Sequence, residues 1–225
     1  MKRKIDMGIK RFFDIFFSVI MAVLIFVIPI YEIVCILIKL TSKGPIHYSQ
    51  IRIGKDQKPF TIYKFRTMIV EQYDENGNEI MSEDRITKIG AILRKTSLDE
   101  LPQLFNIING TMSFIGPRPM LDYQAERCYP EELTRFRMRP GITGLAQVKG
   151  RNNIQWSERI QYDIQYINNY SLWMDIKVLF LTIAAVFSHK GTEVKAEYRG
   201  VDRFSKFYVP DEKSAEAFSK SKKAE

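Results

Sequence analysis

The chain is poor in the residues on which many enzyme classes depend. Its two cysteines, Cys35 and Cys128, form neither a disulfide framework nor a zinc-ligand spacing, which fits a reducing compartment. The two histidines, His47 and His189, lie in no catalytic motif, so chemistry built on imidazole is disfavoured. A Walker loop, Gly-x-Gly-x-x-Gly, Gly-x-Ser-x-Gly and Asp-x-Asp are all missing. The signatures of P-loop nucleotidases, dinucleotide-binding enzymes, α/β-hydrolases and most metal-dependent glycosyltransferases are therefore absent.

What is present begins with a long apolar run from Ile15 to Leu40, interrupted by Ser18, Pro29, Glu32 and Lys39. No small-residue cleavage site follows it and it is too long for a signal peptide, so it reads as a membrane segment. As a straight helix Ile15–Ile38 would measure about 36 Å, enough to cross a hydrocarbon core of about 30 Å. Two features favour a re-entrant path instead. Pro29 stands near the middle, where it breaks the hydrogen-bond ladder, and Lys or Arg residues flank both ends, which places both on the cytoplasmic side. The residues alone leave spanning and re-entrant paths open. The net charge of +8 favours an anionic partner of some kind.

After Lys43 the pattern is that of a water-soluble protein. Ile46–Ile53 and Pro59–Met68 read as a hairpin, with Lys64 and Arg66 on one strand face, either facing a ligand or forming a solvated edge. A polar loop over 73–83 precedes a helix with Ile86, Ile89, Ile92 and Leu93 as its apolar stripe. The next helix carries Leu101, Leu104, Phe105 and Ile108 and stops at Asn109-Gly110.

At the start of that helix stand Asp99 and Glu100, and two readings compete. Ser97-Leu98-Asp99-Glu100 has the capping-box pattern; alternatively Asp99 is the cap, which would place Pro102 in the first turn. The other reading is chemical. The helix dipole would keep Asp99 ionised, and adjacent acids suit divided labour, one as nucleophile or base and the other serving a metal. Helical neighbours point about 100° apart, so they cannot straddle a bond as a glycosidase pair does.

Gly116-Pro117-Arg118-Pro119 is a rigid turn that would hold Arg118 as a phosphate clamp or an ordinary ion-paired arginine. Arg139–Arg151, which contains Gln147, is a second segment whose glycines would allow close backbone approach to a ligand. Ser171–Phe187 is an apolar helix suited to a membrane interface or a core. From Asp211 on no core-forming pattern remains and a mobile tail is expected.

In their order, Lys10-Arg11-Phe12-Phe13-Asp14, Tyr63–Met68, Ser97–Leu104, Gly116–Pro119 and Arg139–Thr143-Gly144 resemble the signatures of the bacterial sugar transferase family, in its small monotopic phosphoglycosyl transferase form. The resemblance covers about Lys10 to Phe187. It implies a mostly helical α+β fold with an N-terminal re-entrant membrane helix, a small β-hairpin and interfacial amphipathic helices. The implied organisation is residues 1–43 in the membrane, 44–188 as a cytosolic catalytic domain at its surface, and 189–225 as a charged tail.

The implied reaction moves a sugar 1-phosphate from a UDP-sugar to polyprenyl (undecaprenyl) phosphate, giving polyprenyl-diphospho-sugar and UMP in the first membrane step of surface glycan assembly. Asp99 would be the nucleophile, forming an aspartyl phosphosugar, and Glu100 a base or metal partner, with Asp99 and Glu100 holding Mg²⁺. Lys64, Arg66, Arg85, Arg94, Arg118, Gln147 and Arg151 are the candidates for holding phosphates or the nucleotide. The membrane break would fall at Ile28-Pro29, where family members commonly carry serine in place of Ile28. The implied setting is the cytoplasmic face of the bacterial inner membrane, with no nucleic-acid partner and with a homo-oligomer left open. Competing readings are a non-catalytic basic membrane adaptor and a metal-dependent glycosyltransferase that releases UDP.

Overall fold

The computed structural model describes residues 2–73, 77–78, 80–81, 84–150, 154–188 and 204. The described chain is mostly helical, with two small two-stranded sheets. By its internal contacts it divides into two units. The first comprises Phe12–Gln50 and Thr61–Gly110; the second holds the described residues of Met1–Arg11, Ile51–Phe60 and Thr111–Glu225.

In the first unit, helix α1 (Lys2–Val27, entering the unit at Phe12) and helix α2 (Ile30–Thr41) meet at a bend of 62°. The bend follows from Pro29, which has no N–H to give the ladder. The Ile30 N–H turns back to the Ile28 carbonyl, and the Ile33 N–H reaches the Pro29 carbonyl at 3.0 Å. At the break two N–H donors thus find backbone carbonyls outside the regular helical ladder. Among the described residues no single helix is long and apolar enough to cross a membrane; the bent pair taken together meets the length and composition of a broken span or a re-entrant loop. Phe12, Phe16, Val23, Phe26, Val27 and Leu40 are exposed, an apolar surface far from usual for a water-facing helix.

One face of α2 is covered. Val34 and Ile38, four residues apart, pack with Phe65 and Leu93 into a small core. Phe65 comes from strand β2 (Pro59–Phe65), which pairs with β1 (His47–Ile53). Their short connection, Gly54–Lys58, permits only an antiparallel hairpin. Leu93 comes from α3 (Lys88–Thr96), started by Thr87, whose hydroxyl accepts the Gly90 N–H at 2.9 Å. The apolar stripe expected on this helix is narrower than its sequence suggests: Ile92 is exposed, and Ile86 precedes the helix in a bridge to Met68. A 3₁₀ turn (Leu98–Glu100) and α4 (Gln103–Ile108) follow, and Gly110, at φ 90°, ends the helix.

In the second unit, strands β3 (Ser113–Ile115) and β4 (Gly141–Thr143) pair in parallel, Ser113 opposite Gly141 and Ile115 opposite Thr143. The glycines around them are required by the packing of the chain on itself. A Cβ on Gly116 would meet the Arg139 carbonyl, one on Gly141 the Gly116 nitrogen, and one on Gly144 the Gly116 carbonyl. The close approach is of the chain to itself.

Around this pair lie α5 (Asp122–Ala125), a 3₁₀ helix (Pro130–Arg137), α6 (Leu145–Gly150), α7 (Trp156–Asn168) and α8 (Leu172–Ser188). Ile115, Leu145, Tyr166, Ile167 and Val178 form one core cluster; Met120, Phe136, Ile160 and Phe204 form another. α8 is two-sided, with Val178 fully buried and Trp173, Leu179 and Phe180 exposed. The first turns of α1 are tied to this unit, Arg3 to the Ile167 carbonyl at 2.8 Å and Lys10 to Asp175 at 2.9 Å.

Apart from Phe204, the C-terminal tail expected over 189–225 lies outside the described residues, as do positions 74–76, 79, 82 and 83 of the polar loop. Phe204 itself is buried, against Trp156 at 6.4 Å between ring centres, so one residue of that segment belongs to a core.

Candidate active site

The acidic pair sits on the 3₁₀ turn, and the backbone explains why neither capping arrangement forms. Ser97 ends α3 in the left-handed region, φ 59° and ψ 17°, and its side chain makes no cap bond. Pro102 precedes α4 without offering an N–H, so the helix restarts at Gln103 and Asp99 lies outside it. A left-handed serine is strained relative to glycine. Here it reverses the chain tightly enough to bury Asp99 while Glu100 keeps some contact with solvent.

Lys64, near the end of β2, faces both acids. Its Nζ donates to Glu100 Oε1 and stands 3.7 Å from Asp99 Oδ2. Burial pushes the Asp99 carboxyl above its ordinary value of 3.8; Lys64 opposes that shift, Glu100 adds to it, and Arg94 and the Asp99 backbone N–H oppose it. The helix-dipole expectation is thereby corrected. Two side-chain cations and the Asp99 backbone N–H, rather than the end of an α-helix, favour the Asp99 anion, and desolvation leaves it more basic than an exposed carboxylate.

Polar contacts made by two side chains, Asn106 and Arg94, set this geometry. Asn106 of α4 donates to the Thr61 carbonyl at 2.7 Å and accepts the Tyr63 N–H at 3.2 Å, so α4 is laced to the strand that carries Lys64. Arg94 of α3 donates through Nε to Thr67 Oγ1 at 2.8 Å, and the Thr67 carbonyl accepts the Thr87 N–H at 3.1 Å. Neither Asn106 nor Thr67 is among the site residues expected from the sequence. The available signal was an asparagine inside a short helix, a poor position unless its amide bonds elsewhere.

The other candidates are placed as follows. Arg66 directs its guanidinium at the carbonyls of Ser42, Lys43 and Pro45. Arg85 donates to the Ile69 carbonyl at 3.3 Å, and the Ile69 N–H returns to the Arg85 carbonyl at 2.9 Å. Lys64, Arg94, Asp99 and Glu100 are thus brought together in the first unit, while Arg66 and Arg85 serve backbone carbonyls. Arg118 and Gln147 belong to the second unit, and Arg151 lies outside the described residues.

In the second unit the Arg118 carbonyl accepts from Arg135 Nη2 at 2.8 Å, and the same nitrogen bonds Asp163 Oδ2 at 2.6 Å. Burial raises the Asp163 carboxyl, against Arg135, Arg159 and Arg118. Both amide atoms of Gln147 are buried without a hydrogen-bond partner among the described residues.

For a metal, no group of three or more His, Cys, Asp or Glu side chains gathers among the described residues. Asp99 and Glu100 offer a hard-oxygen pair, which suits Mg²⁺ in the mode where substrate phosphates and water complete the shell. Lys64 Nζ provides the positive charge between them in this structure.

Residues 5–189 match the family model described as bacterial sugar transferase. The chain is 40% identical over 187 residues to "Uncharacterized sugar transferase EpsL" of Bacillus subtilis, covering 83% of this chain and 91% of that protein. It is 37% identical over 204 residues to "Exopolysaccharide production protein ExoY" of Rhizobium meliloti, covering 81% and 87%. It is also 40% identical over 195 residues to the "UDP-glucose:undecaprenyl-phosphate glucose-1-phosphate transferase" of Klebsiella pneumoniae, covering 83% of this chain but only 42% of that protein.

Proposed function

The chain belongs to the bacterial sugar transferase family, and from that premise we propose that it moves a sugar 1-phosphate from a UDP-sugar to polyprenyl phosphate, releasing UMP. The observation that carries this reading is the buried Asp99 carboxylate with Lys64 beside it and Glu100 next to it in the chain. The activity named for the Klebsiella pneumoniae relative supports the reaction class.

In the first step an Asp99 oxygen attacks the sugar-proximal phosphorus. The bond from that phosphorus to the bridging oxygen breaks, and UMP departs with the oxygen and its electron pair. An oxygen of polyprenyl phosphate then attacks the same phosphorus, the acyl phosphate bond breaks, and Asp99 is restored as carboxylate. The raised basicity of Asp99 makes it the stronger nucleophile of the carboxylate class, while Lys64 and Arg94 lessen its repulsion from the diphosphate. Glu100 holds Lys64 in place. Asp99 and Glu100 are the residues that would hold Mg²⁺, which when bound neutralises diphosphate charge.

The bent pair α1–α2, with its exposed apolar residues, serves as a re-entrant anchor that brings the acidic pair to the cytoplasmic surface of the bacterial inner membrane, where a lipid phosphate is within reach. The test is UMP release from a panel of UDP-sugars with undecaprenyl phosphate in lipid vesicles. Wild-type turnover with at least one sugar and its loss in Asp99→Asn are expected. Release of UDP would support a glycosyltransferase, and full activity of Asp99→Asn would overturn the reading.

A further inference from the structure

We propose that Arg66 is a positioning residue that clamps the exit of α2 onto the strand bearing Lys64, and is not a ligand of the substrate's phosphates. This rests on the reading of Asp99 and Lys64 as the reacting pair. Arg66 is buried, and its three nitrogens each donate to a different carbonyl: Nε to Pro45 at 2.5 Å, Nη1 to Lys43 at 2.5 Å and Nη2 to Ser42 at 3.0 Å. These carbonyls belong to the segment that leaves α2, whose C-cap is Ser42, so the guanidinium sits where a helix end concentrates negative partial charge. Three of the five guanidinium N–H groups are thus committed to carbonyls, and a phosphate that took them would leave those carbonyls without donors, at a desolvation cost for each.

The segment is shaped around the guanidinium. Gly44 lies at φ 117°, and a Cβ there would stand 3.2 Å from Arg66 Nη1 and 2.7 Å from Val70 Cγ2. The Gly44 carbonyl also accepts from Lys39 Nζ at 3.0 Å, which ties the turn back to the last residues of α2. On the strand side, Lys64 reaches Glu100, Phe65 packs on Val34 and Ile38 of α2, and the Arg66 N–H bonds the Ile46 carbonyl at 2.8 Å. Thr67 receives Arg94. Residues 64–67 therefore address the acidic turn, the α2 core, the α2 exit and α3 in succession. A shift of Arg66 is passed to Lys64 two residues away and to Arg94 through Thr67.

The experiment compares the full chain in lipid vesicles with its Arg66→Lys and Gly44→Ala variants, measuring kcat and KM for UMP release and hydrogen exchange of the amides at 42–46. A lysine keeps the charge but cannot serve three carbonyls, and Gly44→Ala disturbs the clamp without altering any cation. Both variants are expected to lose about tenfold or more in kcat, the scale of a small misplacement of reacting groups. KM for the UDP-sugar should stay unchanged and exchange at 42–46 should quicken.

Arg66→Lys with a raised KM and wild-type exchange would overturn the proposal in favour of a phosphate ligand. Faster exchange with wild-type kcat would overturn the coupling to the acidic pair. If Arg66→Lys does not fold, Gly44→Ala decides by the same two readouts. Failure of the functional reading is separate, since it would appear as UMP release that survives Asp99→Asn.

Discussion

Each unit buries an aspartate beside a cation, and the two arrangements differ in what they leave available. Asp163 and Arg135 have side chains only 1% exposed and meet at 2.6 Å. Asp99 keeps 12% of its side chain exposed, and its lysine stands 3.7 Å away and bonds Glu100 instead. Burial raises both carboxyls. A raised carboxyl therefore does not identify chemistry by itself. What separates them is whether the partner closes on the acid or stands back from it, and whether an incoming group can reach a free oxygen.

The largest effect should come from Asp99→Asn. If Asp99 is the nucleophile, UMP release falls by at least about 10⁴-fold, the scale of removing a group that forms the covalent bond. The fold should remain, because Lys64 retains Glu100 and no cation is left unpaired. Thermal denaturation beside the assay checks this, and a melting point that falls in proportion to activity would make Asp99 a structural residue like Asp163.

Asp163→Asn should show the reverse order of effects. Arg135 cannot lose its charge, so removing its carboxylate leaves a guanidinium buried without a counter-ion, at a cost of about 3–5 kcal/mol. Urea denaturation measures it. Stability equal to wild type would mean that the comparison between the two aspartates is wrong at its structural end.

Only some of this was legible beforehand. The hairpin, the stop at Gly110 and the break after Val27 follow from local chemistry: β-branched alternation, a left-handed glycine and a missing proline N–H. The β3–β4 pair was not legible, because three-residue strands show no period and their pairing joins segments distant in sequence. The left-handed Ser97 was hidden for another reason. Ser-x-x-Glu favours a cap, and only the tertiary demand to bury Asp99 and the break at Pro102 override it. Strand periodicity placed Lys64 and Arg66 on one face, yet β2 ends at Phe65 and Arg66 turns to the α2 exit.

A smaller loss is expected for Asn106→Ala. It leaves the Thr61 carbonyl and the Tyr63 N–H without their amide partner, which costs about 1–3 kcal/mol by urea denaturation. Because these groups belong to the strand before Lys64, kcat should fall more than KM rises. An unchanged kcat at reduced stability would place Asn106 with the purely structural contacts.

The finest distinction lies in pH. The Asp99 carboxyl is raised by folding, so the folded protein favours its protonated form. The stability contributed by this group is fully present below its ordinary value of 3.8 and is lost as pH rises through the raised value. Activity runs the other way, since attack needs the anion. The acid limb of kcat/KM should therefore lie above 3.8 and activity should climb over the range in which stability from this group declines. Asn at position 99 removes the titration, so Asp99→Asn should gain stability relative to wild type as pH rises through that range. Stability curves that stay parallel, with an acid limb at the ordinary carboxylate position, would mean that Asp99 is solvated in the working enzyme and that its burial does not set its reactivity.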